Sequence, residues 1–154
     1  MDVSIRVLRP DEVIPLRGML AVFGCAFDDE PTYESKQPDD AYLSRLLGSE
    51  NFVAIAAFRG SEVIGGLAGY VLPKFEQARK EAYIYDLAVA EPYRRRGIAT
   101  AIIDRLKQYA LERGIYVIFV QADRGDEPAI ALYTKLGVRE DVLHFDIVPG
   151  AVAV

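Results

Sequence analysis

Residues 83–100 read Y-I-Y-D-L-A-V-A-E-P-Y-R-R-R-G-I-A-T, and a strand, a polar turn and the mouth of a helix follow one another there without a spare residue. Tyr83 to Val89 has the aromatic, β-branched and small residues of a strand covered on both faces, which Glu91 and Pro92 bring to a stop. From there apolar residues recur at Ile98, Ile102, Ile103, Leu106, Tyr109 and Ala110, the spacing of one helical face. A helix therefore begins directly after Arg94-Arg95-Arg96-Gly97. Its first backbone N–H groups have no partner inside the helix, and the aligned peptide dipoles put partial positive charge beside them. The junction predicts an anion site, with Gly97 admitting a phosphate close to the backbone and Arg94, Arg95 and Arg96 adding charge-assisted hydrogen bonds. A basic turn that is merely solvated is the alternative.

Upstream, Ser4 to Leu8 alternates as a half-buried strand, and Asp11 can cap a helix carrying Val13, Leu16, Leu20, Phe23 and Phe27 on one side. Cys25 falls within that helix and reads as packing. The acidic stretch Asp28-Asp29-Glu30 follows, in a polar connection that is either solvated or placed to attract ammonium groups. Pro38 and Asp39 open a second helix with Tyr42, Leu43, Leu46 and Leu47 inward, and Gly48 closes it. Phe52–Arg59 and Glu62–Leu72 read as strands joined by Gly60-Ser61 and therefore antiparallel, while Gly65, Gly66 and Gly69 suggest bends or close approach by another backbone. Pro73 to Lys80 is a charged connector into the Tyr83 strand. Downstream, Gly114 ends the helix and Tyr116–Gln121 reads as a buried strand, parallel to the Tyr83 strand through a right-handed crossover. Pro128 begins a last helix that Gly137 ends, Leu143–Val148 supplies a closing strand, and a short tail runs from Pro149. The fold class is α/β, a single mixed sheet with helices.

With 154 residues and 51% hydrophobic content, the chain is sized for one domain, 1–154, with a core of its own. A single cysteine excludes an internal disulfide, the lack of a Cys/His cluster argues against a zinc site, and no metal is expected. No basic leader with an apolar core precedes Ser4, and no apolar run is long enough to span a bilayer, so a cytoplasmic location without membrane contact is expected. The formal net charge of −5 disfavours nucleic acid and suits a cationic substrate.

Arg94-x-x-Gly97-x-Ala99, after a strand ending Leu87-Ala88-Val89, resembles the acetyl-CoA pyrophosphate loop of the GCN5-related N-acetyltransferases, the GNAT superfamily. A second block, D-E-P-A-I-A-L-Y-T-K-L-G-V at Asp126 to Val138, is similar to that superfamily's later helix. Y-V-L-P-K-F-E-Q at Tyr70 to Gln77, V-Q-A-D at Val120 to Asp123 and H-F-D-I at His144 to Ile147 further resemble the small gentamicin 3-N-acetyltransferases. The likeness runs along most of the chain. It implies a mostly antiparallel sheet of about six or seven strands with a central splayed parallel pair, and about four helices. It also implies a homodimer and acetyl transfer from acetyl-CoA to the 3-amino group of a polycationic aminoglycoside, which confers resistance. In this likeness Leu87, Ala88, Val89, Arg94, Arg95, Arg96, Gly97, Ile98, Ala99, Thr100, Asp126, Ala129 and Tyr133 contact the cofactor. Tyr133 is the expected proton donor to the departing thiolate. Asp126 stands where asparagine is common and Val138 where phenylalanine is common, which weakens the correspondence at those two positions.

Aspartate is depleted inside strands, and burying its charge is costly, so Asp86 must have a partner. On a two-residue period it shares a face with Ile84 and Ala88; there it either binds the acceptor ammonium and takes its proton, or is tied to backbone. Tyr85, Asp123, Asp146 and the Asp28–Glu30 acids are further candidates for holding substrate. His144, the single histidine, lies on one face with Asp146 and is a candidate base. The rival readings are a GNAT enzyme for a polyamine or a protein N-terminus, and a non-catalytic CoA-binding sensor.

Overall fold

The computed structural model describes residues 2–150; Met1 of the presumed leaderless start and residues 151–154 of the tail lie outside the described residues. The chain divides into two compact units, Met1–Gln121 and Ala122–Val154, each treated by itself.

The first unit is built on a five-stranded sheet in the order β1 (Ser4–Val7), β2 (Phe52–Arg59), β3 (Glu62–Pro73), β4 (Lys80–Val89) and β5 (Ile115–Val120). The first three pairings are antiparallel, and β4 and β5 are parallel. Three helices lie between β1 and β2: α1 (Val13–Ala26), α2 (Glu30–Tyr33) and α3 (Asp40–Leu47). The crossover helix α4 (Ile98–Glu112) joins β4 to β5 after a 3-10 turn at Glu91–Tyr93.

One face of the sheet packs on α1 and α3. Phe52, Ala54, Ala56 and Phe58 alternate along β2 and meet Leu16, Met19 and Phe23 of α1 with Leu43 and Leu47 of α3. α4 turns all six of its predicted apolar positions inward. Gly66 of β3 makes the α1 packing possible, because a Cβ there would lie 2.8 Å from both Cγ and Cε of the fully buried Met19 and 3.1 Å from the Ile55 carbonyl. Gly66→Ala is expected to destabilise the fold by about 1–3 kcal/mol, the usual cost of overpacking. In a thermal melt this lowers the midpoint by several degrees.

Several sequence expectations are corrected. β4 is not covered on both faces: Tyr85 is 60% exposed. β5 is the sheet's edge strand, with Tyr116 and Val117 largely exposed rather than buried. Tyr42 and Cys25 point outward, since the inward stripes of their helices are Leu43 with Leu47, and Leu16, Met19 and Phe23. Glu12, not Asp11, precedes α1; its buried carboxylate accepts the Arg9 N–H at 2.8 Å and pairs with Arg6. The acidic connection contains the short helix α2, giving five helices.

The second unit consists of α5 (Glu127–Leu136) and the segment after it. Leu143–Val148 is not a strand among the described residues. Its alternation is real, but a ladder needs a partner, and Leu143, Phe145 and Ile147 stand 76–89% exposed with none. The described sheet therefore has five strands rather than six or seven.

Candidate active site

The decisive local feature is a bulge in β4. Tyr70 pairs with Tyr83 and Gly69 with Ile84, yet Ala68 pairs with Asp86, so Tyr85 is a surplus residue. The bulge shifts the phase of the strand. Ala68 and Tyr70 lie on the α1 face, and so do their partners Asp86 and Tyr83, while Ile84 faces the other way. The expectation that Asp86 shares a face with Ile84 is thus overturned; its sharing a face with Ala88 holds, since Ala88 packs against the α1 core.

On that face Asp86 meets Tyr33 of α2. The phenol oxygen sits 3.0 Å from each carboxylate oxygen, so one O–H is shared between two acceptors and each oxygen keeps lone-pair capacity for a further donor. Tyr33 is anchored by rings, with centroids 6.0 Å from Phe23 and 5.7 Å from Phe27. Burial raises the Asp86 carboxyl above the ordinary aspartate value, and the Tyr33 hydrogen bond pulls it back in part. Tyr33 is itself raised, by burial first and then by the Asp86 charge and hydrogen bond, so it remains a neutral donor.

The three loop acids take different positions. Asp28 is exposed with a left-handed backbone, φ 51°. Asp29 caps α2, accepting the Thr32 N–H at 3.4 Å, and Glu30 is the first helical residue.

Beyond Asp86, β4 has an open edge. Its parallel pairing with β5 ends at Ile84 opposite Val120, while Asp86 to Val89 remain paired with β3 only. The backbone groups of Leu87, Ala88 and Val89 that would have bonded β5 thus face a gap between two diverging strands. At its end comes the basic turn, where Arg95 (φ 60°) and Gly97 (φ 78°) both adopt left-handed backbone and no side chain caps α4. A Cβ on Gly97 would meet nothing within 4 Å, so the space before the helix N–H groups of Ile98, Ala99 and Thr100 is open. Such alternation of backbone handedness gathers N–H groups into an anion cradle. Arg94 is partly committed, its Nε donating to the Val89 carbonyl at 2.9 Å, so it fastens the turn to the strand end; Arg95 and Arg96 are exposed. Val22, Cys25, Ala90, Glu91 and Arg94 line an adjoining groove of about 700 Å³.

A splayed parallel pair that ends in an anion cradle is what the basic turn predicted, and the comparisons agree. The acetyltransferase (GNAT) family profile matches residues 20–138. The chain belongs to the GNAT family. Among solved structures it is similar to the aminoglycoside acetyltransferase HMB0005 from an uncultured soil metagenomic sample, 57% identical, covering 97% of this chain and 100% of that one with a TM-score of 0.95. It is also similar to the soil metagenomic aminoglycoside acetyltransferase meta-AAC0020 in complex with sisomicin, 29% identical over 96% of this chain and 97% of that one, TM-score 0.88. A curated relative, the N-alpha-acetyltransferase of Sulfurisphaera tokodaii, is 32% identical over 96 residues, or 55% of this chain. The chain spans 58% of the length of that relative.

The remaining predicted residues of this GNAT chain lie in the second unit. Asp126 caps α5, accepting the Ala129 N–H at 3.3 Å, so these two predicted cofactor contacts are bonded to each other. Tyr133 is half-buried, and burial followed by the Asp126 charge pushes its phenol up to about 12. The backbone carbonyl of Asp123 accepts the Asp126 N–H, and its side chain is exposed. His144 and Asp146 are exposed and paired at 3.0 Å. Among the described residues no helix is long and apolar enough to cross a membrane, and no group of three or more His, Cys, Asp or Glu could hold a metal.

Sequence reasoning missed Tyr33. It sits in a polar stretch 53 residues from Asp86, and no local pattern marks that contact. Tyr70 and Tyr83 were legible only as strand residues.

Proposed function

We propose that this chain, acting as one catalytic domain over residues 1–154, is an acetyl-CoA-dependent aminoglycoside 3-N-acetyltransferase that acts on gentamicin-like antibiotics and confers resistance. The observation that carries this reading is Asp86: a half-buried carboxylate with spare acceptor capacity, beside the open end of β4 and held by a phenol. Near full-length similarity to an aminoglycoside acetyltransferase, and the sisomicin complex of another, support the substrate class.

Acetyl-CoA, when bound, supplies the activated thioester. Leu87, Ala88 and Val89 offer backbone groups to its arm, and an N–H among them polarises the thioester carbonyl. The cradle at Arg95 to Thr100 takes the pyrophosphate. Asp86 holds the acceptor ammonium and takes its proton; the amine nitrogen bonds to the acetyl carbon as the carbon–sulfur bond breaks. Tyr133 donates a hydrogen bond to the departing sulfur. Asp28, Glu30, Asp123 and Asp146 bind the remaining ammonium groups, and His144 is the reserve base. A homodimer accompanies this reading, with the exposed apolar residues of Leu143–Val148 as the natural pairing segment.

The second reading is acetylation of a protein N-terminus, favoured by the N-alpha-acetyltransferase relatives. Release of CoA thiol from acetyl-CoA, followed with gentamicin, sisomicin, spermidine and a short peptide in parallel, separates the two. Turnover confined to the aminoglycosides, with the product's acetylated nitrogen located by NMR, supports the proposal. Turnover confined to the peptide overturns it.

A further inference from the structure

Five tyrosines converge on Asp86 from four elements. Tyr33 comes from α2, Tyr42 from α3, Tyr70 from β3, and Tyr83 and Tyr85 from β4. Tyr33 bonds the carboxylate directly, and Tyr70 and Tyr83 lie near enough to feel its charge. Tyr85 lies within the same electrostatic reach of Tyr33, Tyr70 and Tyr83, and Tyr42 of Tyr70.

The rings are held by one another. Tyr70 pairs in register with Tyr83 across the strands, and Tyr83 stacks on Phe119 at 4.7 Å. Tyr85 meets Tyr70 at 88° and Tyr83 at 63°, with centroids 5.6 and 6.0 Å away. Tyr85 remains 60% exposed, Tyr42 52% and Tyr70 38%, although all three belong to the side of the sheet that α1 and α3 cover further along. Leaving that much aromatic surface in water opposes folding, and the bulge that lifts Tyr85 outward gives the core nothing in return.

We propose that these tyrosines form a cage around Asp86 that takes the body of a saturated, amine-bearing ring, a diaminocyclitol or amino sugar, with its ammonium on the carboxylate. This rests on the acetyltransferase reading and deepens it to the shape of the acceptor. Aromatic faces attract an ammonium and the polarised C–H bonds beside it, and the phenol hydroxyls can bond ring hydroxyls. Walls set at 63° and 88° make a corner, which fits a thick chair-shaped ring; a planar base would need parallel walls, and a thin polyamine chain would leave the corner part-filled.

The chain has no tryptophan, so its near-ultraviolet spectrum reports tyrosine directly. The test titrates wild type, Tyr85→Phe and Tyr85→Leu with 2-deoxystreptamine and with spermidine, following the tyrosine difference spectrum, and measures KM and kcat for sisomicin. Melting temperatures check that the exposed substitutions leave the fold intact. Tyr85→Leu is expected to weaken 2-deoxystreptamine binding and raise the sisomicin KM by about tenfold, with spermidine changed less than about twofold and Tyr85→Phe close to wild type. Equal weakening of both ligands, or of neither, overturns the cage. Cyclitol binding that depends on Tyr85, in an enzyme that acetylates no aminoglycoside, retains the cage and removes the antibiotic reading. Sisomicin turnover with an unchanged KM in Tyr85→Leu does the reverse.

Discussion

Asp86→Asn is expected to lower kcat/KM for the amine acceptor by about 10²- to 10⁴-fold, the range for loss of a positioned general base, while acetyl-CoA binding measured by calorimetry stays within about twofold. Asparagine is close in size and still accepts the Tyr33 hydrogen bond, so what disappears is the charge that attracts the ammonium and the basicity that takes its proton. The pH dependence has a definite sign. Burial raises the Asp86 pKa, and only the ionised form works, so activity falls as pH drops through a value above that of an ordinary aspartate. The Tyr33 hydrogen bond favours the ionised form. Tyr33→Phe keeps the packing against Phe23 and Phe27 but removes this bond, and should move the acid limb of kcat/KM to higher pH. A purely structural Tyr33 would change the melting temperature and leave the limb in place. An Asp86→Asn enzyme within about threefold of wild type would remove Asp86 from the mechanism.

The second large effect concerns Tyr133. A phenol at about 12 is protonated at every working pH, so it is a constant hydrogen-bond donor and contributes no basic limb to the profile. Full proton transfer to a thiolate of ordinary pKa, near 8.5, would be uphill by about 5 kcal/mol. Tyr133 is therefore better suited to stabilising charge on sulfur than to surrendering its proton, which solvent supplies later. Tyr133→Phe is accordingly expected to cost about 10- to 100-fold in kcat, the worth of one hydrogen bond to a charged group, with the KM for acetyl-CoA little changed. Single-turnover kinetics in rapid quench checks this. A loss confined to KM would place the hydroxyl in binding alone.

Much of the scaffold was legible because periodicity reports burial directly. The inward face of α4 was readable from its six apolar positions, and the β2–β3 hairpin from Gly60-Ser61 between two apolar runs. The parallel relation of β4 and β5 followed from the helix between them. What failed depended on contacts distant in sequence. A two-residue period cannot reveal a surplus residue, so Asp86 was assigned to the face of Ile84; the bulge exists only in the register with β3. Leu143–Val148 carries a strand's alternation, yet alternation states only which side would be apolar if a partner arrived. Cys25 and Tyr42 sit in apolar-rich helices whose inward stripes are set by neighbours a residue away. Tyr33 was invisible because its role comes from the folded approach of α2 to the sheet.

The bulge also bears on how such chains diversify. Substitution alters what a strand displays, but a single extra residue alters which layer of the protein receives everything after it. Deleting one residue at position 85 would leave β4 able to pair along its whole length while turning Asp86 toward the layer of α4. Two relatives differing there by one codon would share a sheet and a cofactor cradle yet not an acceptor site. Strand length at this point, rather than the presence of an acid in an alignment column, is the character to compare when activity is carried from one member to another.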